Sequence, residues 1–387
     1  MVVYIKTQGA RISREGKHLL VKKGDATYNT LFTYKLSQVV IFGNVEITHR
    51  ALAQLMRYEI DTVFLTQNGR YLGRIASPEA RNVFLRKKQY DLLGDRDFGL
   101  RLARAIVSGK LANMATILMR IKRTRDDAWA GRKAHEIQDL MKLFQGADKL
   151  DSIRGYEGRG TALYFEAFSR GFIENMGFTR RVRRPPTDPV NSILSLLYTF
   201  LMNRVYSAVR VAGLDPYPGF LHSLDYGRYS LVLDLMEEFR TIIADTLALS
   251  LFNLKILKRE DFYVEKPDTS EEFHQTQEER IADVTQDPIG RISGNADDAE
   301  SFDLPDQRME EEGSRQASTP TGKYPVKLHP EAFQRVIEAF EKKLTTSFFY
   351  PPAERQLTYA DALIFQASHY RKVIEGEAAV YQPLLLK

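Results

Sequence analysis

Ser230, Asp234, Glu237 and Thr241 follow one another at spacings of four, three and four residues. Wound as a helix, that spacing puts all four on one face. Leu231, Leu235, Phe239 and Ile242 form an apolar face beside it. Two carboxylates one turn apart against apolar surface repel each other and favour a cation between them. An imidazole joined to carboxylates suits Mn²⁺ or Mg²⁺, and makes Mn²⁺ especially acceptable. His222 offers that imidazole from a loop stiffened by Pro216, Pro218 and Gly219. Glu157, read as opening a helix, offers a further carboxylate. Each residue also has a plainer reading: a structural histidine, a helix-dipole partner, a solvated acidic face.

Other motifs lead nowhere. No Gly-x-x-x-x-Gly-Lys-Ser/Thr loop is present, which argues against ATP-driven work. His135-Glu136 begins like a zinc-protease motif, but no second histidine follows at the required place. Gly158-Arg159-Gly160 is a fragment of a dinucleotide fingerprint without the strand it needs.

Short β-prone runs at Val2 to Ile5, His18 to Val21, Val39 to Phe42 and Thr62 to Leu65 are bounded by turn-forming glycines. One helix capped by Thr48 interrupts them. Ser77, Pro78 and Glu79 make a helix start, so a boundary is expected at Ala76. Helical periods then run to about Leu257, with Asp188-Pro189 opening an apolar helix that ends near Gly213. Helical signals resume at Pro330 to Leu344 and Tyr359 to Glu375. The expected fold is α+β: a small β-rich domain at 1–76, then a larger all-α catalytic domain at 77–387.

Residues 265–325 break this pattern, being acidic, polar and aperiodic, and read as a disordered or mobile insertion. Residues 265–320 hold sixteen acidic and five basic side chains, a local charge of −11 against +5 for the whole chain, which leaves +16 elsewhere. A folded part that basic attracts a phosphate backbone. The chain has no cysteine, which excludes disulfides, thiol nucleophiles and thiolate zinc sites. With no long apolar run in Met1 to Arg11 to act as a secretory signal, a cytoplasmic protein is expected.

Three pieces occur in order: Gly155-Tyr156-Glu157-Gly158 with Thr161 to Phe165, Gly213 to His222, and Ser230 to Arg240. Together they resemble the CRISPR-associated adaptation integrase, the first universal Cas protein of prokaryotes. Ile41 to Val45 with Ile47-Thr48, Gly109 to Asn113, and Gln366-Ala367 with Gly376-Glu377 and Tyr381 extend the likeness over nearly the whole chain except the acidic insertion. The resemblance implies a metal-dependent endonuclease and integrase that inserts DNA fragments into a repeat array, a 3′-hydroxyl attacking a phosphodiester. By position, it places the Mg²⁺ or Mn²⁺ ligands on Glu157, His222 and Glu237. Asp234 is then a further ligand or the group that orients the others. Arg159, Arg170, Arg180, Arg181, Arg183, Arg184 and Arg228 are candidates to track phosphates, and Tyr164 to pack on a sugar or to sit in the core. Arg240 is expected to pair with Glu238. Implied partners are double-stranded DNA, a second copy forming a homodimer through the β-rich domain, and a small ferredoxin-like adaptation protein. A mobile-element integrase on the same fold, a tyrosine recombinase and a catalytically silent DNA-binding scaffold are the competing readings.

Overall fold

The computed structural model describes residues 1–24, 26–67, 69–75, 82–182, 185–265 and 324–386. The expected helix start at Ser77 to Glu79 and nearly all of the acidic insertion lie outside them.

Two four-stranded sheets come first. One has the order β1 (Val2–Ile5), β5 (Gln38–Phe42), β7 (Asp61–Leu65), β8 (Tyr71–Ile75), with β1, β5 and β7 parallel. The other has the order β4 (Ala26–Phe32), β3 (His18–Lys23), β2 (Ala10–Glu15), β6 (Val45–Ile47). Alternation along β5 explains how they fit to the rest. Successive side chains of a strand point to opposite faces, and β5 is buried throughout. Val39 and Ile41 enter a core shared with Ile12, Leu19 and Val21 of the second sheet and with Ala51 and Leu55 of α1 (His49–Arg57). Val40 and Phe42 enter the larger core of the helical part. Phe42 meets Phe200 and Phe333 edge-on, with ring centroids 6.1 and 5.0 Å away. The first sheet is thus a middle layer, apolar on both faces as such layers must be.

The helical part holds α2 (Val83–Asp91), α3 (Arg96–Arg125), α4 (Ala128–Phe144), α5 (Leu150–Phe168), α6 (Pro189–Val211), α7 (Ser230–Phe239), α8 (Thr246–Asn253), α9 (Pro330–Thr345) and α10 (Tyr359–Glu375). Caps match their residues: Thr48, Asp95, Asp127, Asp188 and Thr358 each accept a backbone N–H from the first turn of their helix. This part is not all-α, which corrects the expectation from sequence. Two antiparallel pairs lie within it, β9 (Phe262–Val264) with β10 (Val326–Leu328), and β11 (Ser347–Tyr350) with β12 (Arg355–Thr358). Each strand has only three or four residues, too few to show a period of two.

Helix α3 is long and apolar enough to span a bilayer by composition, but it is the core helix of this part. It packs against α4, α5 and α7. The α3–α5 approach depends on Gly160, where a Cβ would fall 2.3 Å from Leu111 Cδ2. Between α7 and α8 the chain makes a π-helical turn over Arg240–Asp245, a wider winding that often marks functional sites.

Candidate metal centre

Asp234 organises the site. Its Oδ2 accepts the backbone N–H of Phe220 at 2.6 Å and of Leu221 at 2.9 Å. Its Oδ1 accepts the backbone N–H of His222 at 2.9 Å and lies 2.6 Å from His222 Nδ1. A carboxylate oxygen at Nδ1 selects, for the neutral ring, the tautomer with its proton on Nδ1 and its lone pair on Nε2. Asp234 therefore fixes the loop, the tautomer and the ring direction, and its oxygens are occupied by doing so. Four hydrogen bonds thus tie this one side chain to the loop that carries the imidazole.

The loop reaches this carboxylate by close packing. Gly219 lies against the start of α7, where a Cβ would fall 2.5 Å from the Ser230 carbonyl carbon. Upstream, Asp215 anchors the loop to α2: Arg86 Nε donates to its Oδ2 at 3.1 Å, and Gln89 bonds both its backbone N–H and its carbonyl.

Glu237, one turn beyond Asp234, faces His222, with Oε1 3.7 Å from Nε2. Glu157 comes from α5. It stands midway along that helix, which begins at Leu150, so the reading of Glu157 as opening a helix is corrected. Thr161, one turn on, donates its hydroxyl to Glu157 Oε1 at 2.9 Å. All four acidic and imidazole side chains are buried.

Sequence reasoning misses the charge that holds the carboxylates together. Lys110 Nζ, 1% exposed, contacts Glu157 Oε1 closely and lies 2.8 Å from Glu237 Oε2. Its signal is a charge inside an apolar stripe: Ile106, Val107 and Met114, three or four residues away, share its face of α3. Arg240 adds a second positive charge, Nη2 lying 3.3 Å from Glu237 Oε1, so it pairs with Glu237 and not with Glu238. Glu238 points the other way, to Tyr381, Gln366 and the backbone N–H of Leu384.

No group of three or more His, Asp or Glu side chains among the described residues is arranged to hold a metal ion as it stands. The donor set nevertheless fits one. Two carboxylates and an inward-turned imidazole nitrogen converge, and the carboxylates already share a cation, the Lys110 ammonium.

The proposed DNA contacts divide. Arg159, Arg170 and Arg180 are exposed. Arg183 and Arg184 lie outside the described residues. Arg181 is turned inward, donating to Asn191 Oδ1 at 2.9 Å and Ser195 at 3.0 Å, and Arg228 is buried, donating to Ser223 at 3.1 Å. Tyr164 is fully buried among Phe165 and Phe168 and donates to Asp245 Oδ2 at 2.9 Å, so it cannot meet a sugar. All three serve the core because their helix faces or turns point inward. Asp245, in the π-helical turn, also accepts from Tyr198 at 2.6 Å, and burial pushes its carboxyl up to about 6.

Two β-sheets ahead of a helical body, with a buried carboxylate–imidazole centre on α5, α7 and the loop before α7, define a mixed α+β protein built around one candidate cation site. The family profile of CRISPR associated protein Cas1 matches residues 3–279, and the chain belongs to that family. A protein named CRISPR-associated endonuclease Cas1 3, from Thermus thermophilus, is 30% identical over 100% of this chain and 97% of its own. Among solved structures, a Cas6-RT-Cas1–Cas2 complex chain is similar at a TM-score of 0.76 and 22% identity, covering 100% of this chain and 36% of that one. A casposase bound to integration product is similar at a TM-score of 0.74 and 18% identity, covering 98% and 92%. At these identities the two structures speak for the fold alone.

Proposed function

We propose that this chain is a divalent-metal-dependent DNA endonuclease and integrase that inserts DNA fragments into a CRISPR repeat array. The observation that carries the reading is that Glu237 faces His222 Nε2 at 3.7 Å and shares the Lys110 ammonium with Glu157, which brings two helices and a loop to one buried point. Glu157, His222 and Glu237 would hold Mg²⁺ or Mn²⁺, which when bound polarises a phosphoryl oxygen and activates a 3′-hydroxyl. The protein's own part is positional. Asp234 aims Nε2 inward, Thr161 fixes one oxygen of Glu157, and Arg240 balances Glu237. One phosphodiester replaces another, so no nucleotide fuel is required, in keeping with the missing phosphate loop. Arg159, Arg170 and Arg180, all exposed, would meet phosphates of double-stranded DNA.

The name of the Thermus relative supports the nuclease activity. The presence of the same fold in a Cas1–Cas2 assembly supports a Cas partner, which we take to be a small ferredoxin-like protein bridging homodimers formed through the β-rich domain. The casposase likeness favours a second reading, a mobile-element integrase, which differs in its target and not in its chemistry.

The test is joining of a short duplex to supercoiled plasmid with and without a repeat, in Mn²⁺, Mg²⁺ or EDTA, by the wild type, Glu157→Ala and His222→Ala. Repeat-dependent product that requires metal and both side chains is the expected result. Product indifferent to the repeat selects the mobile-element reading. Salt-sensitive DNA binding without any nicked or joined product, partner included, overturns the enzyme.

A further inference from the structure

Lys110 stands where the proposed ion must go. Its ammonium touches Glu157 Oε1 and lies 2.8 Å from Glu237 Oε2, so it occupies an oxygen of each proposed carboxylate ligand. An ammonium has donors only and cannot ligate a cation. Its charge repels one, the more strongly in a buried site. The residue is also built in. It sits on the apolar stripe of α3, 1% exposed, its stem covered by the core that packs α3 on α5 and α7.

Burying two carboxylates without a counter-charge is costly, and proteins avoid it by pairing them or by holding a metal. With Lys110 between them, the pair is neutralised before any metal arrives. The helices can then pack with the ligands already facing one another. The flexible four-carbon stem of a lysine lets the head swing away while the helix backbone stays in place.

We propose that Lys110 is the counter-ion of the metal-free centre, and that the Lys110 ammonium and a divalent cation exclude one another from the Glu157–Glu237 pair. The proposal rests on the reading that Glu157, His222 and Glu237 hold the ion. It makes Lys110 a positioning residue that tunes metal affinity, and gives the site two filled states, one with the ammonium and one with the metal.

Mn²⁺ binding is measured by the EPR signal of the free ion, which needs no catalysis, for the wild type, Lys110→Met, Lys110→Arg and the Glu157→Gln/His222→Ala double variant. Removing a like charge from the site should tighten Mn²⁺ binding by Lys110→Met at least about tenfold. Lys110→Arg, which keeps the charge, should bind as the wild type does. Mn²⁺ should also raise the melting temperature of Lys110→Met more than that of the wild type. Unchanged or weaker binding by Lys110→Met overturns the proposal. Should that variant fail to fold without metal, the wild type crystallised with Mn²⁺ decides. Nζ withdrawn from both carboxylates supports the exclusion, and Nζ still bridging them beside the bound ion sinks it. The double variant separates the two readings. Mn²⁺ lost there but indifferent to Lys110 defeats only this inference, whereas Mn²⁺ bound neither by the wild type nor by Lys110→Met defeats the metal centre and the inference together.

Discussion

Asp245 shows what burial does to a single carboxyl in this molecule. Desolvation raises it from an ordinary 3.8 to about 6, against hydrogen bonds from Tyr198 and Tyr164 and the charges of Arg240 and Arg181, which all pull it down. The folded protein therefore holds the proton more tightly than the unfolded chain. The stability this contributes is complete below about pH 4 and is lost as pH rises through about 6. Between about pH 5 and about pH 7.5 the wild type should lose on the order of 1 kcal/mol relative to Asp245→Asn, whose amide does not ionise. Urea denaturation of both proteins at the two pH values checks this, and parallel profiles would mean the carboxylate stays ionised throughout. At this scale the sequence is informative where residues lie close in the chain. Asp234 and Glu237 on one helix face, with His222 a short loop upstream, are legible from spacing. Lys110 is not legible as a member of the site, because α3 must first pack on α5 and α7 to bring it there. Tyr164 stays open between sugar and core, and Arg181 is read as a phosphate contact, for the same reason, since type and charge do not say which way a side chain is turned.

Elements reach the site through contacts that leave no room for a methyl group. Gly219 is the sharpest case, because its neighbours are the backbone of Ser230 and Leu231 rather than a flexible side-chain tip. Gly219→Ala should force the loop off α7, costing about 1–3 kcal/mol of stability. It should also move His222, and a shift near 1 Å is enough to lower strand joining roughly 100-fold. Gly155→Ala is the control. That glycine is exposed within α5 with nothing near its would-be Cβ, so the substitution should be neutral or stabilise by up to about 1 kcal/mol. A melt and a joining assay on both variants suffice, and equal behaviour would refute the packing argument. Some helices are legible almost to the residue, α6 from its Asp188-Pro189 start and α10 from the helical signal at Tyr359 to Glu375 among them. Strands β2, β4, β6 and β8 escape a reading by pattern. Arg and Glu in β2, and the exposed face of β4, hide the apolar alternation that marks a half-buried strand. The π-helical turn has no sequence signature at all, since one extra residue per turn leaves composition unchanged.

At the scale of the whole molecule, charge is divided by the chain itself. Residues 266–322 carry fifteen acidic and five basic side chains, so their removal takes the formal net charge from +5 to +15. The fold tolerates such an excision by its geometry. Val264 on β9 is the register partner of Val326 on β10, and the Glu265 N–H bonds the Pro325 carbonyl at 2.9 Å. The two ends of the segment therefore leave the body side by side, and a short Asn-Gly turn can close them. If the acidic segment acts on DNA only through its long-range field, the excised protein should bind duplex DNA more tightly at roughly 50 mM salt. The advantage should fade towards roughly 300 mM, where screening cuts off charges more than several ångströms apart. A titration of affinity against salt for both proteins checks it. An advantage that persists at high salt would instead mean that the segment covers the DNA surface directly, since short-range contacts are screened least. Identical affinity at every salt would place the segment too far from the bound DNA to be felt.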